Sequence, residues 1–93
     1  MEGYARLKVP GEKLVIVKLE YSDRIRKVQI LGDFFMHPEE ALGLIESLLA
    51  GTRSAASREE IAGRIRAIAD QRHVEMIGVS PESIAEAIKM AIK

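Results

Sequence analysis

Hydrophobic and polar residues alternate along the first third of the chain with the period of β-strands. Three segments show the pattern: residues 4–9, 13–21 and 24–31. Alternation with a period of two turns one apolar face toward a core and leaves the other face to solvent. Turn-forming pairs that begin at Pro10 and Ser22 separate the segments. The pattern predicts three antiparallel strands that follow one another as a meander with one buried face.

A two-residue turn at residues 22–23 would set the register between the second and third strands. It would place Val17 opposite Val28, with the apolar residues of both strands on one face. The same register sets Lys18 opposite Lys27, and like charges in direct opposition destabilise a sheet slightly. A longer turn is the alternative.

The second half of the chain has apolar residues at helical spacing. Pro38 suits the first position of a helix and Gly51 suits its end. Ser57, followed three residues later by Glu60, is typical of a capping box at the start of a second helix. Ser80 precedes a proline and begins a third helix.

Strands followed by helices indicate an α+β fold. The specific prediction is a three-stranded antiparallel sheet, in a meander, followed by about three helices packed on one face. Residues 73–79 fit either a connector or a small edge strand. The 93 residues are expected to form one domain, residues 1–93.

Composition excludes several classes of function. The 14 basic and 14 acidic residues balance, so no net field favours nucleic acid. The chain has no cysteine, which removes disulfides, thiolate metal sites and thiol catalysis and fits a reducing, cytoplasmic setting. No apolar run approaches the roughly 18 residues of a membrane span. We therefore expect neither nucleic acid nor a membrane as partner.

The segment that follows the third strand holds both phenylalanines of the chain. Because neighbouring strand residues point to opposite sides, one of Phe34 and Phe35 should be buried and the other should emerge as a candidate anchor for a partner. The alternative is that both pack inside. Asp33 either bonds to N–H groups of its own turn or is available to a partner. Gly32 indicates an unusual backbone conformation or a close approach.

The remaining polar motifs do not assemble a catalytic or metal site. A metal site needs three or four convergent ligands, and the chain has only His37 and His73 as histidines. His37 is interpreted as a helix cap or a surface residue. Lys8 and Lys13 flank a Pro-Gly turn that lacks the spacing of a phosphate-binding loop. They could reach a phosphate or a partner carboxylate, or lie in solvent like most lysines.

These turns together resemble the C-terminal accessory domain of lipoate–protein ligases. The residues that carry the resemblance are Lys8, Pro10, Gly11 and Lys13, then Gly32, Asp33, Phe34 and Phe35, then Pro38 and residues 77–80. The resemblance extends over nearly the whole chain. In one departure, Glu12 stands where the family often has a second glycine.

The resemblance implies an accessory subunit of a two-chain lipoate–protein ligase, the arrangement found in some organisms, archaea among them. In that family a catalytic subunit activates lipoate with ATP to lipoyl-adenylate and then lipoylates lipoyl domains. ATP, Mg and lipoate are expected on that subunit, with no cofactor bound by this chain alone. The partner would be the catalytic subunit, in a heterodimer. Two turns, residues 8–13 and 32–35, are expected at the interface, and no residue is expected to be catalytic.

A non-catalytic interaction or regulatory module unrelated to lipoylation is the alternative. The residues by themselves do not distinguish the two functions, because neither requires a nucleophile, a metal set or a phosphate-binding loop on this chain.

Overall fold

A computed structural model describes residues 1–92. The elements in chain order are β1 (Glu2–Leu7), β2 (Val15–Tyr21), β3 (Ile25–Gly32), β4 (Phe35–His37), α1 (Ala41–Leu49), α2 (Arg58–Arg72), β5 (Glu75–Ile77) and α3 (Pro81–Ala91). Within the described residues, β1, β2 and β3 form one antiparallel sheet in that order, and β4 pairs with β5 in a second sheet. The predicted α+β fold, a three-stranded meander followed by helices, is confirmed.

Burial is concentrated on one face of the three-stranded sheet. Val15, Val17, Leu19 and Tyr21 of β2 are all buried, and the residues between them are more exposed. Helix α3 packs on β1 and β2, α1 packs on β3, and α2 packs on both other helices. Each fully buried aliphatic side chain contributes roughly 1.5–3 kcal/mol. The helices therefore hold the sheet through the face that the alternation predicts.

The register between β2 and β3 differs from the prediction by two residues. Val17 faces Ile30, and Glu20 faces Lys27. The turn is longer than two residues, and the ladder shifts between Glu20 and Tyr21. Because the shift is an even number, the apolar residues stay on the buried face. It also replaces the predicted opposition of two lysines with a pair of opposite charge.

The helix predicted to begin at Pro38 begins three residues later, at Ala41. The residues before the proline form the short strand β4, in which Met36 lies opposite Met76 of β5. Pro38 instead lies in a turn, and its carbonyl accepts a hydrogen bond from the Ala41 N–H at 3.1 Å. The predicted helix start was wrong because β4 and the turn after it were not recognised. A three-residue strand has too little alternation to be identified without its partner.

The starts of α2 and α3 use serine caps, as predicted. The Ser57 hydroxyl accepts a hydrogen bond from the Glu60 N–H at 3.0 Å. The Glu60 carboxylate does not complete the box, and it lies 3.6 Å from the Arg64 guanidinium. At α3 the box is complete, since Ser80 and Ser83 each accept from the other's N–H, at 3.1 and 3.0 Å.

An exposed ion pair joins α2 to α3. The Arg66 guanidinium donates to the Glu82 carboxylate, and this hydrogen bond lowers the pKa of that carboxyl. Both side chains are about half exposed, so the pair contributes at most about 1 kcal/mol. A lowered pKa means that this contribution is present above the carboxyl's usual pKa and is lost as pH falls through the folded-state value.

The outer edge of β3 is covered by α1 and the loop that follows it. The Ile30 N–H donates to the Glu46 carboxylate at 2.7 Å, and the Ile25 N–H donates to the Thr52 carbonyl at 2.8 Å. These bonds satisfy edge groups that would otherwise be open to pairing with another chain. Within residues 1–92, no helix is both long enough and apolar enough to cross a membrane.

The buried hydroxyl of Thr52, in the loop after α1, is expected to lower the free energy of unfolding. Its side chain is 1% exposed, and no group of residues 1–92 bonds to its hydroxyl. A buried hydroxyl without a partner costs about 1–3 kcal/mol. We expect Thr52→Val to raise the free energy of unfolding by about 1 kcal/mol, measured by denaturant titration.

Thr52→Ser is the matched control for that measurement. It keeps the hydroxyl and removes a buried methyl group, so it should lower the free energy of unfolding by about 1 kcal/mol. A valine variant less stable than the wild type would show that the hydroxyl contributes to stability.

Candidate binding surface

Three turns that lie far apart in sequence meet at one end of the sheet. The Lys13 N–H donates to the Gly78 carbonyl at 2.7 Å, and the Asp33 N–H donates to the Leu14 carbonyl at 3.2 Å. The structure therefore brings together the two turns predicted from sequence. It adds a third, the turn between β5 and α3.

The first turn is a β-turn with Pro10 and Gly11 at its centre. The Glu12 N–H donates to the Val9 carbonyl at 2.9 Å, and Gly11 has φ +85°. Proline followed by a residue with positive φ is typical of a type II turn. Glu12 is the last residue of the turn and has no positive φ. The turn therefore forms with a glutamate at the position where the family often has a second glycine.

The Glu12 side chain links the first turn to helix α3. Its carboxylate oxygens accept from the Ser80 hydroxyl at 3.3 and 3.5 Å. Ser80 is the N-cap of α3, and a negative charge near a helix N-terminus contributes typically about 0.3–1 kcal/mol. Sequence reasoning missed this role. The signal was present in the sequence, as a carboxylate that replaces a glycine.

Glycines allow the three turns to approach one another. A Cβ on Gly78, which has φ +84°, would lie 2.6 Å from Cγ of Lys13. A Cβ on Gly32 would lie 2.0 Å from the Leu14 carbonyl oxygen. Hydrogen atoms at these positions let the Lys13 stem lie across Gly78 and bring β3 against the first turn. The predicted close approach at Gly32 is confirmed.

The two phenylalanines differ in burial, as strand alternation predicts. Phe34 is half-buried against the core, and Phe35 is 69% exposed. Ile77 lies opposite Phe35 in the β4–β5 ladder and is 52% exposed. Sequence reasoning missed Ile77 as a neighbour of Phe35, because their pairing depends on a strand contact between distant segments.

The charged residues of the predicted site are exposed. Lys8, Lys13 and Asp33 all reach solvent, and none of them forms an ion pair with the described residues. The Asp33 carboxylate accepts no hydrogen bond from residues 1–92, so it does not bond to its own turn. His37 is a surface residue at the end of β4, and Glu40 occupies the N-cap of α1.

The surface thus combines an exposed aromatic residue, an exposed aliphatic residue and free charges of both signs. Within residues 1–92, no group of three or more histidine, aspartate or glutamate side chains is placed to hold a metal ion. Such an arrangement is suited to contact with another macromolecule.

The fold is that of a small α+β domain with a candidate binding surface, and comparison with known proteins gives its family. No family model matches the chain. The lipoate–protein ligase A subunit 2 of Thermoplasma acidophilum is 35% identical over 68 residues, which span 73% of this chain and 67% of that protein. The chain belongs to the lipoate–protein ligase A subunit 2 family, and the predicted resemblance is confirmed.

A solved structure gives the same assignment. It is that of an archaeal lipoylation system from Thermoplasma acidophilum, comprising a bipartite lipoate protein ligase and its E2 lipoyl domain. A chain of that structure matches with a TM-score of 0.77 and 32% identity, over 95% of this chain and 94% of its own length. The likeness therefore extends over nearly the whole chain.

Gly78 is the position at which the geometry of the turns can be tested. We expect Gly78→Ala to lower the free energy of unfolding by about 1–3 kcal/mol, because alanine is strained at this φ and its Cβ would strike the Lys13 stem. Denaturant titration measures the change. Gly63→Ala is the control: Gly63 lies within α2 with open space around it, so alanine should stabilise by about 0.5–1 kcal/mol. Equal effects of the two substitutions would contradict the described packing.

Proposed function

We propose that this chain is the accessory subunit of a two-chain lipoate–protein ligase. It acts with a catalytic subunit in the ATP-dependent activation of lipoate to lipoyl-adenylate and in the lipoylation of lipoyl domains. One observation carries the proposal: the chain matches a chain of a bipartite lipoate protein ligase system over 95% of its length. The relationship to a ligase subunit 2 supports the same role.

In this proposal the catalytic subunit holds ATP, Mg and lipoate, and this chain supplies binding surface. The first turn lacks the glycine spacing and the Lys-Ser/Thr end of a phosphate-binding loop. Among residues 1–92, no hydrogen bond joins either histidine to a candidate nucleophile. The residues that converge are suited to docking on another subunit.

The proposed interface consists of the turns at residues 8–13 and 32–35. Exposed residues of the first turn include Lys8, Pro10 and Gly11, and those of the second include Asp33 and Phe35. Because hydrogen bonds hold the turns together, they would present one continuous surface to the catalytic subunit. Loops positioned by a rigid scaffold are frequent sites of binding.

An accessory subunit without catalytic groups acts through the conformation of its partner. By linkage, it shifts the catalytic subunit only as far as it binds one state of that subunit better than another. Closing a pocket over an adenylate also excludes water from a hydrolysable intermediate. The proposed role is therefore to stabilise the state that forms lipoyl-adenylate.

Two assays on the catalytic subunit, each with and without this chain, test the proposal. One starts from lipoate and ATP, and the other starts from synthetic lipoyl-adenylate and a lipoyl domain. We expect the first to depend on this chain by at least about tenfold, equivalent to about 1.4 kcal/mol, and the second to depend on it much less. The reason is that only the first assay requires the activation step.

This chain without the catalytic subunit is the control, and we expect it to form no lipoyl-adenylate. Equal dependence in both assays, or dependence in neither, would contradict the proposed role in activation. Adenylate formation by the isolated chain would contradict the assignment of the chemistry to the partner.

A further inference from the structure

The short β4–β5 ladder has an outward face. The predicted site includes Phe35 of this face but not its other residues. Alternation along the two strands turns four side chains outward, and all four are exposed: Phe35 and His37 from β4, Glu75 and Ile77 from β5. We call these four residues the β4–β5 outer face. Phe35 and Ile77 lie directly opposite each other in the antiparallel register. Opposed residues have Cβ atoms about 4.5–5.5 Å apart, so the two side chains form one apolar patch.

The inner face of the ladder anchors this patch to the protein. Met36 is buried, and Met76 packs against the core from the opposite strand. Past Ile77, the Gly78 carbonyl accepts the hydrogen bond from Lys13, which ties the end of β5 to the first turn. A patch held in this way loses little conformational freedom when a partner covers it, and that lowers the cost of binding.

From this geometry we infer that the β4–β5 outer face docks on the catalytic subunit, with Phe35 and Ile77 as the central anchor. The inference rests on the proposed function, which supplies the partner, and adds which residues hold it. An aromatic side chain that is 69% exposed beside an aliphatic one that is 52% exposed leaves apolar surface in water. Central aromatic anchors of this kind dominate the binding energy of many interfaces.

The area of the patch argues against a second copy of this chain as the occupant. An aromatic residue buries about 150–250 Å² when covered, and a stable interface needs about 1,200 Å² or more in total. Two such patches placed face to face would therefore bury much less than a stable dimer requires. The occupant must extend beyond the patch.

The three turns adjoin the patch, and we call them the turn cluster. A partner surface that continues past the patch would reach them. Gly78 follows Ile77 in sequence and lies against the Lys13 stem, and Asp33 is two residues from Phe35. The apolar pair therefore has a lysine and an aspartate nearby, and neither forms an ion pair with a described residue. An apolar centre with a polar rim is the usual anatomy of a protein interface. A partner that covers both the patch and the turns is the catalytic subunit of the proposed complex.

Titration calorimetry of the catalytic subunit with variants of this chain tests the inference. We expect Phe35→Ala to raise Kd by about 30-fold and Ile77→Ala by about tenfold, the range seen when a central anchor is truncated. Two controls are equally exposed apolar residues elsewhere: Tyr4→Ala on the outer face of the main sheet, 51% exposed, and Leu48→Ala on α1, 50% exposed. Both should bind within about twofold of the wild type.

Thermal unfolding of each variant separates loss of binding from loss of fold. Ile77→Thr serves as a second variant, because threonine keeps the β-branched shape that favours a strand and removes apolar surface. We expect it to unfold at the wild-type temperature and still to bind more weakly. Normal binding by Phe35→Ala and Ile77→Thr would overturn the inference and leave the proposed function intact.

The same experiments identify other occupants. Weakening by Tyr4→Ala equal to that by Phe35→Ala would place the interface on the main sheet and overturn the inference. So would a dimer of the free chain that Ile77→Thr dissociates, or direct binding of a lipoyl domain that Ile77→Thr abolishes. Failure of the wild-type chain to bind the catalytic subunit would overturn the proposed function, and the inference with it.

Discussion

The antiparallel pairing of β4 with β5 is the interaction on which the candidate surface depends. It joins the segment that follows the sheet to the segment that precedes α3, and it turns Met36 inward and Phe35 outward. Without this pairing, the residues after β3 would have no reason to stay extended, because three residues form little structure alone. The ladder also brings Gly78 to the position where its carbonyl accepts the Lys13 N–H. The ladder therefore links the end of the sheet and the first turn to the segment that leads into α3.

The buried core and the candidate binding surface occupy different parts of the structure. The helices hold the sheet through a face of fully buried residues, among them Ile45, Ile61 and Ile84. The turn cluster and the β4–β5 outer face keep apolar and charged side chains in solvent, where they add little to folding. Two glycines and the Glu12–Ser80 contact hold that end of the protein in shape. Substitutions of exposed residues there can consequently change binding without unfolding the chain.

This division agrees with membership of the lipoate–protein ligase A subunit 2 family. A subunit that works through a partner needs a rigid surface more than reactive groups, since it acts through differential binding to the partner's states. Some polar groups described at the site form backbone hydrogen bonds or a helix cap. The others are charged side chains exposed to solvent. The departure at Glu12 is consistent with such a role, because the carboxylate strengthens the scaffold by bonding to the cap of α3.

The sequence by itself determined the order of the three main strands and the three helices, the buried face of the sheet and the serine caps at Ser57 and Ser80. Those features arise from local periodicity and from side chains that bond to neighbouring backbone, so they can be recognised within a few residues. The family could also be recognised, because its turn residues keep their order along the chain. Of the candidate site, the sequence predicted the two turns and left open whether one phenylalanine would point outward or both would pack inside.

Only the tertiary structure decided the β2–β3 register, the strand at residues 35–37, the pairing of Phe35 with Ile77 and the bond from Ser80 to Glu12. A shift of two residues leaves the apolar pattern unchanged, so periodicity cannot distinguish the two registers. The other three features join residues that are distant in sequence. Their formation depends on free energy gained when the whole chain packs, which no local pattern contains.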